Sequence, residues 1–155
     1  MTATSGSVMT NRRRLILLAL ASLAVVQLGH LLDVLRYDPD ASFPSVLENP
    51  RAFLGIGLAA LAFIAVQMQW RVARRLALVA GGGVAIGFIL YHGIPFDLGA
   101  NNPYWGEHGH ADLIRWLTVL ATIAVGFWVA ILAVKLKTPL TETSRAQPAP
   151  SLPRS

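Results

Sequence analysis

Four long apolar runs, none with an internal proline, constrain this chain more than any other feature. They cover approximately residues 15–35, 53–70, 76–92 and 113–134. Each has about 17–22 residues, which at a rise of about 1.5 Å per residue matches a hydrocarbon core of about 30 Å. Because backbone polar groups find no water inside a bilayer, such runs must be helical. The pattern predicts an all-α membrane protein whose four transmembrane helices form a compact bundle over residues 12–137.

The first run also has the features of a secretory signal peptide. Asn11-Arg12-Arg13-Arg14 precedes it, and Ser22-Leu23-Ala24 is compatible with a cleavage site. The apolar stretch continues to Leu35, however, and is longer than the usual signal-peptide core of about 7–15 residues. We therefore expect this run to be an uncleaved span.

The charged residues are divided between the two ends of these spans. Ten of the 13 basic residues lie before span one, between spans two and three, or after span four, and seven of the eight acidic residues lie on the other side. Lys and Arg accumulate on the cytoplasmic side of membrane proteins. The distribution predicts a plasma-membrane protein with both termini cytoplasmic and the loops of about residues 36–52 and 93–112 extracytoplasmic.

Composition excludes several classes of function. The chain is 54% hydrophobic and 14% charged, with no cysteine, whereas soluble domains are about 45–50% apolar and about 25% charged. Disulfide scaffolds, thiol catalysis and Cys-ligated metals are excluded. The basic residues flank apolar runs, so the lipid bilayer rather than nucleic acid is the expected partner.

The Ser/Thr-rich residues 1–11 and the Pro-rich tail, residues 138–155, are expected to be disordered.

Small residues predict which faces of the helices pack together. On span one, Ser22, Val26, Gly29 and Asp33 share a face, and span two carries a stripe of Gly55, Ala59, Ala62, Val66 and Gln69. Span three has Ala77, Gly81 and Ala85, and span four has Thr122, Gly126 and Ala130. A second motif on span three, Gly83 with Gly87, has GxxxG spacing. We expect it to pack within the bundle, with a dimer face as the alternative.

Two ionisable residues within the spans predict a structural contact. Asp33 and Arg115 lie at similar depth near the extracytoplasmic ends of spans one and four. A charge inside a span costs about 2.5–3.5 kcal/mol at the bilayer centre, and it needs a partner. We expect an interhelical ion pair, with Asp112 as the N-cap of span four.

All four histidines map to the extracytoplasmic side. His108 and His110 could bind a metal ion such as zinc or copper together with His92 and Glu107, because imidazole and carboxylate are suitable ligands. Alternatively, His30 and His92 could be axial ligands of a haem. The spacing matches no diagnostic metal motif, and these residues are equally compatible with a solvated loop.

No nucleophile–base pair or cofactor-binding motif is apparent in the sequence. We therefore expect a protein without catalytic residues and without a cofactor, acting as an accessory or interaction subunit with a membrane-protein partner or as a homo-oligomer. The alternatives are a metal- or haem-binding redox or transport component and an oligomeric carrier of small solutes.

Overall fold

The described structure, a computed structural model, is a bundle of four helices. It covers residues 4–37, 44, 50–94 and 112–136 and has no strand within these ranges. The helices are α1 (Thr4–Tyr37), α2 (Pro50–Gln67), α3 (Ala73–Gly93) and α4 (Leu113–Val134). Helix α3 alternates α-helical segments (Ala73–Leu78 and Val84–Phe88) with π-helical segments (Val79–Gly83 and Ile89–Gly93).

Three of the helices are long and apolar enough to cross a membrane. They are Asn11–Arg36 within α1, α3 over Ala73–Gly93, and α4 over Leu113–Val134. In α2 the comparable stretch, Phe53–Gln67, is shorter. The described chain therefore has the composition and architecture of an all-α membrane protein.

The helix boundaries differ from the predicted spans at two places. Helix α1 begins at Thr4 and so includes part of the N-terminal segment that we expected to be disordered, whereas the tail of residues 138–155 lies outside the described residues. Span two was predicted to end at residue 70, but α2 ends at Gln67. Gln69 in the following turn has a positive φ of 55°, a conformation that no helix continues through.

The helices form a ring in which α1 packs against α2 and α4, and α3 packs against the same two helices. Large side chains of α1 fill the centre against small residues of α2 and α3. The cluster contains Ile16, Leu20 and Leu23 from α1, Ala59, Ala62 and Ala65 from α2, and Ala73, Ala77 and Ala80 from α3. Helix α4 adds Val129 and Ala133.

The predicted inner face of α1 is therefore partly wrong. Asp33 is buried, but Ser22 is exposed and no atom of another element lies within 4 Å of a Cβ built on Gly29. Small residues mark a packing face only where two backbones must approach closely. Because α2 and α3 supply the alanines, α1 contributes its large side chains.

Helices α3 and α4 pack backbone against backbone at two glycines. A Cβ built on Gly81 would lie 2.5 Å from the carbonyl oxygen of Gly126 and 2.8 Å from the amide nitrogen of Ala130. A Cβ on Gly126 would lie 2.8 Å from the carbonyl oxygen of Gly81. These are backbone atoms that cannot rotate away, so only glycine permits this separation of the helices.

The second glycine motif of α3 packs against none of the other described residues. Gly83 and Gly87 are exposed, and a Cβ on either would meet nothing within 4 Å. The expectation that this motif packs inside the bundle is wrong. The face of α3 that contains Ala77, Gly81 and Ala85 packs against α4 and α2. Because Gly83 and Gly87 lie on a different face of the same helix, they point away from the bundle.

Replacing Gly81 by alanine should destabilise the bundle. The added methyl group forces α3 and α4 apart, and overpacking of this kind typically costs about 1–3 kcal/mol. Denaturation of the purified protein in detergent should show the free energy of unfolding reduced by this amount. Gly83→Ala is the matched control, because it adds the same methyl group to open space on the same helix. Equal stability of the two variants would contradict the close contact.

Candidate polar site

Three helix termini meet at one end of the bundle, which we call the polar end. They are the last turns of α1, the end of α3 and the first turn of α4. Within the described residues, the polar end has six histidine, acidic or arginine side chains: His30, Asp33, Arg36, His92, Asp112 and Arg115. The opposite end, where α1 begins and α4 finishes, carries the arginine clusters, and we call it the basic end.

Asp33 and Arg115 lie side by side between α1 and α4. Arg115 Nε is 3.6 Å from Asp33 Oδ2, and the Asp33 side chain is only 5% exposed against 23% for Arg115. At this distance the contact is an ion pair and not a direct hydrogen bond. It joins the two helices at the depth that the sequence indicates for both residues.

Asp112 caps α4 and thereby positions Arg115. Its Oδ1 accepts a hydrogen bond of 2.9 Å from the backbone N–H of Arg115, which confirms the predicted N-cap. Two threonines continue the polar line along α4, because Thr118 donates to the carbonyl of Arg115 and Thr122 to that of Thr118. Both hydroxyl groups are thus satisfied locally, and Thr122 is fully buried.

The two histidines of the described chain contact each other at the polar end. The ring centroids of His30 and His92 are 5.0 Å apart, with an edge-to-face angle of 73°. Phe88 lies 5.0 Å from His30 and 5.6 Å from His92, so the three rings form one cluster between α1 and α3. His92 is 4% exposed.

The end of α3 is built so that His92 faces inward. Ile89–Gly93 is π-helical, and its wider turn rotates the following residues relative to an α-helix. Helix α3 then stops at Ile94, whose extended conformation (φ −81°, ψ 125°) agrees with the restriction that Pro95 places on the residue before it. π-Helical turns occur frequently at functional sites.

One nitrogen of His30 is a polar atom with unused bonding capacity. Its Nδ1 is buried and has no hydrogen-bond partner among the described residues. Most buried polar atoms in proteins are hydrogen-bonded, and an exception indicates a role or a bound group. His30 Nδ1 is therefore an atom of the polar end with a hydrogen bond or ligand bond still to make.

The predicted metal ligands are only partly within the described residues. His92 lies beside His30, whereas Glu107, His108 and His110 lie outside the described residues. Within the described ranges, no three His, Asp or Glu side chains come close enough to hold a metal ion. A haem between His30 and His92 does not fit this arrangement, because the two rings are in direct contact.

Gln27 is a buried polar residue that the sequence analysis did not identify. It is 6% exposed, its Nε2 donates to the carbonyl of Leu23 at 3.2 Å, and a Cβ on Gly55 of α2 would overlap its Oε1. The available signal was a glutamine inside an apolar run opposite a glycine. Gln27 lies between the core and the polar end and joins α1 to α2.

No protein-family model, curated protein or solved structure matches this chain.

Removing the charge of Asp33 should destabilise the protein through Arg115. Asp33→Asn keeps the shape of the side chain but removes the negative charge beside the Arg115 guanidinium, and solvent access to Arg115 limits the cost to about 1–3 kcal/mol. The double variant Asp33→Asn/Arg115→Gln should lose less stability than the sum of the single variants, with a coupling of about 0.5–3 kcal/mol.

The measurement is denaturation of all three variants in the same detergent. Lys135→Gln, a charge removal at an exposed position of the basic end, is the control and should have little effect. Strictly additive losses for Asp33→Asn and Arg115→Gln would show that the two residues do not interact.

Proposed function

We propose that this chain is a four-span protein of the plasma membrane, with both termini cytoplasmic and the polar end extracytoplasmic. The basic residues support this orientation, because those described at the start of the apolar part of α1, around the start of α3 and after α4 are all at the basic end. The loops of about residues 36–52 and 93–112 would then be extracytoplasmic.

Helix α2 is the span that the proposal adds to the three long ones. Its 18 residues extend about 27 Å, close to a hydrocarbon core of about 30 Å. It packs along α1 and α3 within the bundle, and Ala59, Ala62 and Ala65 are buried there. Short spans are accommodated by local thinning of the bilayer at a modest cost.

Within that membrane we propose a non-catalytic role as an interaction subunit. The observation that carries the proposal is the outward face of α3, where Gly83 and Gly87 are exposed and have no side chain to cover the helix backbone. Helices in lipid associate where small residues let their backbones approach, and α3 already does this with α4 at Gly81. The partner would be a transmembrane helix of another membrane protein or of a second copy.

The absence of cysteine from the chain allows a clean test of sidedness. Val72→Cys lies in the turn between α2 and α3, and Leu113→Cys lies at the start of α4, both at exposed positions. A membrane-impermeant maleimide added to intact cells should label Leu113→Cys and spare Val72→Cys. Should α2 remain outside the bilayer, Val72→Cys would be labelled and a reporter placed after Ser155 would be extracellular.

The same cells test the interaction. Gentle detergent extraction should retain a fixed partner, and Gly83→Leu/Gly87→Leu should release it by blocking the approach of a helix to α3. Ala60→Leu is the control, because it adds the same bulk to an exposed position of α2. A partner that stays bound to the double leucine variant, or a chain that is monomeric and alone from the start, would rule out this interface.

A second candidate function is favoured by the contact between His30 and His92. With metal–nitrogen bonds of about 2.0–2.1 Å, two imidazoles that share one tetrahedral ion have ring centres roughly 5 Å apart, and these rings are 5.0 Å apart. His30 Nδ1 is available as a ligand atom. We propose that zinc or copper binds there, completed by Glu107, His108 and His110, in a redox or transport component.

Metal analysis of the purified chain tests this candidate. One equivalent of zinc or copper should bind. His30→Gln or the double variant His108→Ala/His110→Ala should weaken binding at least about 100-fold, because even the hydrogen-bond partners of metal ligands contribute about 10–100-fold to metal affinity. Tyr91→Phe, an exposed neighbour of His92, is the control. Unchanged metal content in the folded histidine variants, or none in the parent chain, would eliminate the site.

A further inference from the structure

The basic end of the bundle carries six exposed basic side chains. Its exposed basic side chains are Arg12 and Arg14 at the start of the apolar part of α1, Arg71, Arg74 and Arg75 around the start of α3, and Lys135 after α4. Both carboxylates of the described ranges, Asp33 and Asp112, are at the opposite end. Nothing described at the basic end therefore neutralises this charge.

Two contacts hold the helix segments that carry these residues at the same end of the bundle. Arg13 Nη2 donates to the carbonyl of Gln67, which joins the start of α1 to the end of α2. Leu136, next to Lys135, packs against the core cluster that includes Ala73 at the start of α3. The basic side chains from α1, α3 and α4 are thus held around one end of a packed bundle.

The first turn of α3 adds to the positive potential. Arg74 and Arg75 lie in that turn, where the helix dipole is itself positive, and no acidic residue lies there. The N-cap residue, Val72, has an apolar side chain and caps none of the N–H groups of this turn. This arrangement is unfavourable in isolation, and an anion beside these arginines would relieve the repulsion.

We propose that the basic end binds the phosphate groups of anionic phospholipids. This inference rests on the proposed insertion of the bundle, which puts the basic end at the depth of the headgroups. Trp70 is half-exposed in the turn before α3, and tryptophan is enriched at this interface. Arginine pairs with phosphate through two parallel hydrogen bonds, and a fluid headgroup layer supplies such phosphates to every face of the bundle at once.

The test uses the full chain in nanodiscs, which leave both membrane faces accessible. The bilayers contain phosphatidylcholine with increasing fractions of phosphatidylglycerol, and native mass spectrometry counts the lipids retained by the protein. Retention should favour phosphatidylglycerol. Arg71→Gln/Arg74→Gln/Arg75→Gln should reduce the preference at least tenfold, since a basic residue near an anionic surface contributes about fivefold.

Two matched variants separate charge from structure. Arg71→Lys/Arg74→Lys/Arg75→Lys should keep most of the preference, and Arg36→Gln, at the other end of α1, should leave it unchanged. Thermal unfolding of each variant in phosphatidylcholine shows whether it is folded. If the triple glutamine variant is not folded, the single variant Arg74→Gln takes its place.

Each outcome decides between the proposals. In one outcome the protein inserts both into bilayers of phosphatidylcholine alone and into those with phosphatidylglycerol, yet retains the two lipids equally. This result would overturn the lipid site and leave the four-span proposal intact. Failure to insert into either bilayer would overturn both. Inorganic phosphate or an acidic peptide can also be added, at a phosphate or carboxylate concentration equal to that of the lipid. If either one abolishes the retention of phosphatidylglycerol, the lipid site would also be overturned, since this would indicate a soluble ligand.

Discussion

The close approach of α3 and α4 at Gly81 and Gly126 is the contact on which the rest of the bundle depends. Lipid chains are as apolar as leucine, so helices gain little from burying apolar side chains against each other and depend on close packing. The two glycines bring backbone against backbone, and the same line of contact buries Thr122 and Val129. It also holds α4 at the position from which Arg115 reaches Asp33 across to α1.

The two ends of this bundle solve the problem of charge in opposite ways. At the polar end, Asp33 and Arg115 offset each other, and Asp112 is used by the N–H groups of α4. At the basic end, the arginines have no carboxylate nearby among the described residues, so nothing in that part of the chain offsets their charge. This contrast explains why the polar end has the properties of a built site and the basic end those of a surface.

Periodicity and charge predict the helices well but not their rotation. Helix α4 and its cap at Asp112 agree with the sequence, and depth along the spans predicts the Asp33–Arg115 pair, whose atoms lie 3.6 Å apart. The predicted packing face of α1 is partly wrong, and that of Gly83 and Gly87 is wrong. A small residue indicates close packing only when the residues of the opposite helix are also known. The contact between His30 and His92 depends on the π-helical turn at Ile89–Gly93, for which no sequence signal was available.

Helix α2 shows how a short apolar segment can still be part of such a bundle. A short apolar helix that ended within the hydrocarbon region would expose its last carbonyl groups there, where an unsatisfied group costs several kcal/mol. Here Arg13 of α1 donates to the carbonyl of Gln67, and the turn that follows returns the N–H of Trp70 to the carbonyl of Ala65 at 2.9 Å. The end of α2 is therefore satisfied from within the chain. Because α2 ends at Gln67, an arginine of the neighbouring helix α1 can donate to its last carbonyl group.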